Sequence, residues 1–272
     1  MTAKRSVFYI VLLALVVVFF FPVVWIFLTS LKTSGEIYAW PPQFLPSSLY
    51  LDNYRRVLTQ SLLGRYILNS MFVSSGSVVF VIALASLAAY GITRLKFPGS
   101  NLVLTVFIAL AMFPQLAIVP SIFVWFRRLG LLNTYTGIFV IYAGLFTPLA
   151  LWILSTYFRT IPVELEESAR IDGCGVVRMI VQIILPVAVP GVVAASLIIF
   201  FQTWNEFFLA LVILARNSMR TATVGIALYP GEYSFPWDLI TTATFLAIVP
   251  LFILTVVFQR QIISGLTAGS AK

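Results

Sequence analysis

The stretch "IPVELEESARIDGCGVVRMIVQIILP", residues Ile161–Pro186, is a short polar segment between two long apolar ones. It holds three glutamates, one aspartate and two arginines, whereas 61% of the whole chain is hydrophobic. A proline near its start and glutamates in the following turns are typical of a helix N-terminus, and glycines allow turns that most residues cannot make. The stretch therefore predicts a helix–turn–helix outside the bilayer. Its parts are a helix from Pro162 to about Asp172, a turn at Gly173 and Gly175, and an amphipathic helix over Val176–Leu185 that stops at Pro186.

The composition is that of a membrane protein. The chain has 272 residues, of which 10% are charged, and a mean hydropathy of +1.03. A soluble domain would carry about 25% charged residues, so the surrounding solvent must be largely lipid. The net charge of +8 favours membrane anchoring over nucleic-acid binding, because the basic residues lie near the ends of apolar runs.

The residue inventory excludes most catalytic chemistry. Cys174 is the single cysteine and histidine is absent, which excludes an internal disulfide, a multi-cysteine metal site and a histidine base. No G-x-x-x-x-G-K-[ST] phosphate loop occurs, so the chain cannot hydrolyse ATP by the usual machinery. We expect no metal and no cofactor in this chain, and a partner that supplies energy. A channel or a structural membrane protein would share these absences.

Six segments are long and apolar enough to span a membrane, which takes about 20 residues each. They are Val7–Leu31, Tyr66–Ile92, Leu102–Val124, Thr136–Phe158, Val187–Leu214 and Leu239–Phe258. The first is too long for a cleaved signal sequence and is predicted to be retained. Backbone groups must be paired within lipid, so the segments should be helices and not strands. The sequence thus predicts one all-α integral-membrane domain over residues 1–272, with six transmembrane helices.

The distribution of basic residues orients the chain only weakly. With both termini in the cytoplasm, nine lysines and arginines lie inside and eight lie outside. Two further features favour a cytoplasmic N-terminus. The first outer loop is long, so its basic residues count less, and Lys4 and Arg5 flank the first helix, which often dominates. Charge therefore favours cytoplasmic termini by a small margin.

The spacing within the opening stretch resembles the EAA motif of ATP-binding-cassette (ABC) importer permeases. Without that spacing, an ordinary solvated loop would be the simpler interpretation. The family pattern is E-A-A, three residues, G, nine residues and I-x-L-P, and this chain departs from it only at Ser168. In that family the segment, here about residues 159–186, is a cytoplasmic coupling helix seated in a cleft of the ATPase, which implies that both termini are cytoplasmic. The residues to which the resemblance assigns ATPase coupling are Glu166, Glu167, Ser168, Ala169, Asp172, Gly173, Ile183, Leu185 and Pro186.

Other stretches narrow the resemblance to carbohydrate permeases of the maltose type. Leu68–Gly99 is similar to their second span and the following turn, and Phe200–Leu211 is similar to their fifth span. The C-terminus "FQRQIISGLTAGSAK" is similar to the tail of the subunit that pairs with a larger sibling, and we expect Ile262–Lys272 to be ordered against an ATPase dimer. These similarities imply the type I ABC importer permease fold in the cell (inner) membrane. They also imply a second homologous permease, two ATPase domains that bind ATP and Mg²⁺, and an extracellular solute-binding protein.

Polar and aromatic residues inside the predicted spans are candidates for a substrate path, because polar groups are costly in lipid. Helical spacing places Gln202, Asn205 and Glu206 on one face of the fifth span. Amides and carboxylates accept hydrogen bonds from hydroxyls and aromatic rings stack on sugars, so this face would suit a sugar. The amides would alternatively join helices by hydrogen bonds, and packing would explain an aromatic residue. The candidates are Gln202, Trp204, Asn205 and Glu206, with Tyr142 in the fourth span.

The sequence thus predicts a permease subunit of an ABC importer that translocates a sugar or oligosaccharide. A glycerophosphodiester, a polyamine, phosphate or another non-sugar solute is the alternative cargo. A phosphate cargo calls for intramembrane arginine or lysine, and none lies deep in a predicted span, which favours a neutral polyol. An ion channel or a membrane scaffold is the alternative class of protein, and it would leave the Glu167–Pro186 spacing unexplained.

Overall fold

The computed structural model describes residues 2–95, 97–111, 114–228 and 235–267, and every regular element in these ranges is a helix. The helices are α1 (Thr2–Ser30), α2 (Ser34–Ile37), α3 (Asp52–Thr59), α4 (Leu63–Arg94), α5 (Ser100–Ala111), α6 (Gln115–Arg128), α7 (Tyr135–Phe158), α8 (Glu164–Ile171), α9 (Val176–Met179), α10 (Leu185–Val187), α11 (Val189–Asn205), α12 (Phe208–Ile213), α13 (Ala222–Ala227) and α14 (Trp237–Thr267). A π-helical turn over Ile180–Ile184 joins α9 to α10, and a short 3₁₀ turn covers Asn217–Met219. The predicted all-α architecture is therefore confirmed.

Four helical stretches in the described part of the chain are long and apolar enough to cross a membrane alone, and one bent pair of helices makes a fifth candidate. They are Arg5–Ser30, Leu63–Arg94, Tyr135–Phe158 and Trp237–Gln261, with the pair Val176–Val187 and Val189–Asn205. The predicted count of six is not confirmed. The third predicted span, Leu102–Val124, divides between α5 and α6, with residues 112 and 113 outside the described ranges. Pro114 precedes α6 in an extended conformation, as expected for a residue that lacks the N–H of a continuous helix.

The last two predicted spans also differ from the observed helices. The fifth, Val187–Leu214, divides because α11 ends at Asn205 and Glu206 has an extended backbone with ψ 131° before α12. The sixth was predicted to end at Phe258, where α14 kinks and then continues. The predicted contact of the tail falls on Ile262–Lys272, whose side chains, and the backbone of residues 268–272, lie outside the described residues.

Residues 1–67 and 225–250 form the first of two compact units. Its small core includes Val57 on α3 and Leu239 on α14. Asn53, which is fully buried, donates hydrogen bonds to the carbonyl oxygens of Ser30 (3.0 Å) and Lys32 (2.9 Å) and so ties α3 to the end of α1. The loop that follows α1 is therefore an ordered part of this unit and not a free linker.

Residues 68–224 and 251–272 form the second unit, whose core lies between α4, α7 and α11. Gly191 permits α11 to approach α7 closely, because a Cβ atom at this position would lie 2.3 Å from the ring of Tyr157. Asn69 on α4 donates hydrogen bonds to the carbonyl oxygens of Ser218 (3.0 Å) and Arg220 (2.9 Å). The opening stretch and the candidate substrate path both belong to this second unit.

Candidate functional site

The first half of the opening stretch contains the predicted helix and turn, but α8 begins at Glu164, so Pro162 precedes the helix and does not lie in its first turn. Helix α8 carries three glutamates in its first turn, where the helix dipole favours negative charge. Gly173 follows with a φ of +78°, in the left-handed region that residues with a Cβ rarely adopt. Gly175, which was predicted to share this role, has a φ of −72°, so that part of the prediction is wrong. Only Gly173 makes the turn that needs a glycine.

The second half of the stretch continues past the residue at which it was predicted to stop. Helix α9, the π-helical turn and α10 run on to Val187. Pro186 lies at the start of α10, where its missing N–H is not required. The chain then bends by 90° and enters α11 at Val189. The opening stretch is thus joined to α11 through a single non-helical residue, Ala188.

A buried ion pair holds α8 against the bundle. The Arg94 side chain at the end of α4 is 9% exposed and the Glu166 side chain is 2% exposed, and Nε of Arg94 donates to Oε1 of Glu166. The same guanidinium donates at 2.9 Å to the carbonyl oxygens of Phe158 and Ile161, which end α7 and begin the segment. Arg94 therefore joins α4, α7 and α8 at one point. Glu166 serves here as an internal anchor.

A second contact lies one turn after Glu166 on α8 and one turn before Arg94 on α4. Nη2 of Arg170 donates to the hydroxyl of Tyr90 at 3.1 Å, and this hydrogen bond raises the pKa of Arg170. The Tyr90 hydroxyl lies 3.7 Å from Sδ of Met179 on α9. Both arms of the helix–turn–helix are thus attached to α4.

The opposite face of α8 is free of the bundle. Glu167, Ser168, Asp172 and Gly173 are exposed, Ala169 is buried, Ile183 and Leu185 are half-buried, and Pro186 is exposed. Ile171, at the end of α8, is 86% exposed. The residues assigned to coupling therefore divide into a buried or half-buried group on the bundle side and an exposed group that includes the acidic residues Glu167 and Asp172.

A cavity of about 250 Å³ lies beside the end of α11. Its lining residues are Gln115, Phe146, Gln202, Asn205, Glu206, Phe207 and Phe208. Gln202 and Asn205 are exposed towards it. The prediction that Glu206 shares their helical face is wrong, because α11 ends at Asn205 and the backbone turns before Glu206. The three side chains meet at the cavity through this break and not through helical periodicity.

Glu206 is held by three hydrogen bonds. Its Oε1 accepts from the backbone N–H of Leu209, and its Oε2 accepts from the backbone N–H of Ala210, each at 2.9 Å. Oε2 also accepts from the hydroxyl of Tyr142 at 2.8 Å. The carboxylate thus satisfies backbone N–H groups at the start of α12, which have no partner in a broken membrane helix.

The two aromatic candidates are buried and absent from the cavity lining. Tyr142 is fully buried and reaches the cavity only through Glu206. Trp204 is buried against Phe200, with ring centroids 5.5 Å apart. The rings that do line the cavity are those of Phe146, Phe207 and Phe208.

Sequence reasoning missed two residues that the structure places in these sites. Gln115 lines the cavity, and its position inside a predicted apolar span was the same signal that identified Gln202. The second residue is Arg94, which from the sequence is only one of the nine basic residues expected on the inner side. Nothing in its local sequence indicates Glu166, which is 72 residues away.

Comparison with known proteins agrees with this architecture. Residues 81–267 match the family described as "Binding-protein-dependent transport system inner membrane component". The chain is 38% identical over 252 residues to the sulfoquinovosyl glycerol transport system permease protein SmoH of Agrobacterium fabrum, covering 93% of this chain and 88% of that protein. It is 35% identical over 277 residues to the trehalose/maltose transport system permease protein MalG of Thermococcus litoralis, covering 99% and 97%.

A solved structure shares the fold. It is a chain of a bacterial ABC transporter involved in the import of the acidic polysaccharide alginate, with a TM-score of 0.80 and 22% identity over 96% of this chain and 98% of that chain. The family model covers more than half of this chain. The chain therefore belongs to the binding-protein-dependent transport system inner membrane components, and is a multi-pass permease subunit of an ABC importer.

Proposed function

We propose that this permease is the smaller of two homologous permease subunits in an importer of a sugar or oligosaccharide. The observation that carries the proposal is the two-sided geometry of α8. Glu166 is buried on Arg94, while Glu167, Ser168 and Asp172 face outward. An exposed helix that is anchored on its inner side transmits a displacement to the bundle when a partner pushes on it.

The proposed partners follow from what the chain lacks. It has no phosphate-binding loop, so two ATPase domains that bind ATP and Mg²⁺ supply the energy by closing beneath α8 and its counterpart in the second permease. An extracellular solute-binding protein delivers the substrate, in keeping with the description of the family. In this arrangement both termini and α8 lie on the cytoplasmic side of the cell membrane.

The cavity supports a polar, uncharged cargo. The amides of Gln115, Gln202 and Asn205 offer donors and acceptors, and phenylalanine rings offer apolar faces. No lysine or arginine is among the described residues that line it, whereas phosphate recognition favours such residues. The oxygens of Glu206 are already occupied by three donors, which argues against a polyamine. The relatives named for sulfoquinovosyl glycerol and for trehalose/maltose support a solute that contains a sugar.

The test is uptake into proteoliposomes that contain the complete importer, with radiolabelled maltose and trehalose as probes. We expect Gln202→Leu and Asn205→Leu each to lower uptake by about tenfold, because a sugar hydroxyl in the cavity then lacks its hydrogen-bond partner. The affinity of the binding protein for the sugar should not change. Thr255→Val on α14 is the matched control, since Thr255 is exposed and lies outside the cavity lining. Wild-type uptake in both leucine variants would contradict the proposed path.

A further inference from the structure

A second cavity, of about 450 Å³, lies in the first unit at the C-terminal end of α1. Trp25 and Thr29 come from the last turns of α1, and Lys32 follows directly after the helix. Tyr38, from the outer loop, and Trp237, from the first turn of α14, complete the aromatic part of the wall. This cavity shares no lining residue with the cavity at Glu206.

Lys32 is a buried cation that forms no ion pair in the described part of the chain. Its exposure is 2%, and its ammonium donates to the carbonyl oxygen of Gln43 and lies 4.8 Å from the ring centroid of Trp25. The two ion pairs among the described residues involve other groups. Burial lowers the pKa of Lys32, partly opposed by the charge of Glu36. An ammonium has three N–H donors. The Gln43 carbonyl oxygen accepts one and the Trp25 ring faces the group, so a buried anion would accept from the remaining donors.

Thr29 supplies a second donor at the same place. It is 7% exposed and lines the cavity, and its Oγ1 has no hydrogen-bond partner among the described groups. Most other threonines on the described helices donate to a carbonyl three or four residues earlier, as Thr241 in the same cavity does. A buried hydroxyl without a partner costs free energy unless a ligand or water completes it.

The cavity lies where a membrane would end. The apolar span of α1 covers Arg5–Ser30, and none of its most apolar window is buried. Phe21, one turn before Trp25, is exposed and stacks on the Trp25 ring at 6.1 Å between centroids. Tryptophan, tyrosine and lysine are typical of the headgroup level of a bilayer. An exposed apolar strip along α1 therefore leads from the membrane interior to a buried cation at headgroup level.

We propose that this cavity binds the phosphate group of an anionic phospholipid, with the ammonium of Lys32 and the hydroxyl of Thr29 as donors. The acyl chains lie along the exposed face of α1 at Phe21, and the rings of Trp25 and Trp237 flank the glycerol. A soluble phosphate offers the same anion but makes no use of the apolar strip. The site rests on geometry alone, and only its assignment to the outer leaflet rests on the proposed topology.

The experiment uses the assembled importer, delipidated in mild detergent and titrated with phosphatidylglycerol or with phosphatidylcholine of the same acyl chains. Native mass spectrometry counts the bound lipids, and glycerol 3-phosphate is the soluble competitor. The variants are Lys32→Met, Lys32→Arg and Thr29→Val. Arg55→Met is the matched control, because Arg55 is an exposed cation in the same outer region but outside the cavity.

We expect the wild type to prefer phosphatidylglycerol, and Lys32→Met to weaken that binding by about tenfold through loss of a charge-assisted hydrogen bond. Lys32→Arg keeps the charge and should stay within about twofold. Thr29→Val should lose about threefold through loss of one neutral hydrogen bond, and Arg55→Met should match the wild type.

Unchanged phosphatidylglycerol binding in Lys32→Met would overturn the proposal. Displacement of the lipid by glycerol 3-phosphate at equal concentration would overturn it too, in favour of a soluble anion. Should Lys32→Met fail to assemble, Thr29→Val decides the matter: a threefold loss supports the site, and wild-type binding overturns it.

Discussion

Glu206 lies at a break in the predicted fifth span, and its carboxylate accepts hydrogen bonds from backbone N–H groups that the break leaves free. The break after Asn205 frees backbone N–H groups at the start of α12, and the Glu206 carboxylate accepts from two of them. A buried donor without an acceptor costs about 1–3 kcal/mol of stability. A free N–H group in an exposed turn costs less, because water accepts its hydrogen bond. The same break directs the carboxylate and its neighbouring amides to one cavity. A structural role and a place beside the substrate path are therefore compatible at this residue.

Glu206→Gln tests the structural role. A glutamine offers one acceptor oxygen and an amino group that would face donors, so we expect a loss of stability of about 1–3 kcal/mol. Tyr142→Phe removes one donor and leaves both backbone hydrogen bonds, so its loss should be smaller. Thermal unfolding of the purified complex measures both. Equal stability of Glu206→Gln and wild type would show that the carboxylate does not hold α12.

Gly173 is a second residue on which the proposed function depends, because its backbone conformation sets the turn after α8. We expect Gly173→Ala to destabilise the turn by about 1–2 kcal/mol, because its φ of +78° is strained for a residue with a Cβ. The ratio of ATP hydrolysed to substrate imported should rise as α8 loses its fixed angle. Gly175→Ala is the matched control, since Gly175 has an ordinary φ of −72° and open space around its Cα. The role of the turn is refuted when the two variants couple equally well.

At the scale of elements, the contact between α4 and α8 connects the proposed coupling helix to the membrane helices. Removing one partner of a buried ion pair leaves an uncompensated charge and costs about 3–5 kcal/mol. We therefore expect Arg94→Met and Glu166→Gln each to lower thermal stability and to uncouple ATP hydrolysis from uptake. The double variant should lose less than the sum of the single losses, because the two residues act as one unit.

The control for this joint is Arg178→Met. Arg178 lies on α9 of the same segment, is exposed and bonds only to Gln182 at 2.8 Å in the described contacts. We expect wild-type stability and coupling in this variant. Additive losses in the Arg94 and Glu166 double variant would mean that the two residues act separately.

The conformation of the loop around α2 depends on Glu36. The hydroxyl and backbone N–H of Ser47, together with the backbone N–H of Thr33, donate to its carboxylate. The hydrogen bond from the Ser47 side chain, followed by those from the backbone, lowers the pKa of Glu36 from 4.5 to about 2. A depressed pKa stabilises the folded loop above the unfolded value, and this contribution is lost as the pH falls from about 4.5 towards 2.

Hydrogen exchange measures this loss at the Ser47 and Thr33 amides. We expect their protection factors to be constant above about pH 5 and to decrease below it as the carboxylate takes up a proton. In Glu36→Gln the protection should be lower and should not change over the same range. Wild-type amides that stay fully protected at pH 2 would disprove the dependence on Glu36.

The sequence predicts an element correctly where one local signal, such as a long apolar run, determines its structure. The prediction is wrong where the backbone breaks without such a signal. The fourth span, predicted as Thr136–Phe158, is observed as Tyr135–Phe158, because an apolar run of that length allows only a helix in lipid. The break at Glu206 has no proline or glycine to announce it, and helical spacing continued through it. The pairing of Arg94 with Glu166 depends on packing between distant elements, which periodicity does not contain.

At the scale of the second unit, one continuous path joins the docking face to the cavity. Helix α10 leads through Ala188 into α11, and α11 ends at Asn205 on the cavity wall. Its 17 residues span roughly 25 Å, most of the thickness of a hydrocarbon core. We propose that a displacement of α8 is passed through α10 and Ala188 to α11, and so reaches the residues that line the cavity.

The single cysteine of the chain allows its orientation in the membrane to be measured. Cys174 lies half-exposed in the turn after α8 and is a free thiol, so a membrane-impermeant maleimide reports its side directly. We expect labelling in inside-out vesicles and none in intact cells, because the proposed coupling turn is cytoplasmic. Trp40 is 90% exposed in the loop after α1, which the proposed topology places outside the cell. Trp40→Cys in a Cys174→Ser background should therefore show the reverse pattern. In the assembled importer the ATPase should protect Cys174 and leave the position of Trp40 reactive. Labelling of Cys174 in intact cells would invert the topology, and with it the assignment of α8 as the cytoplasmic coupling helix.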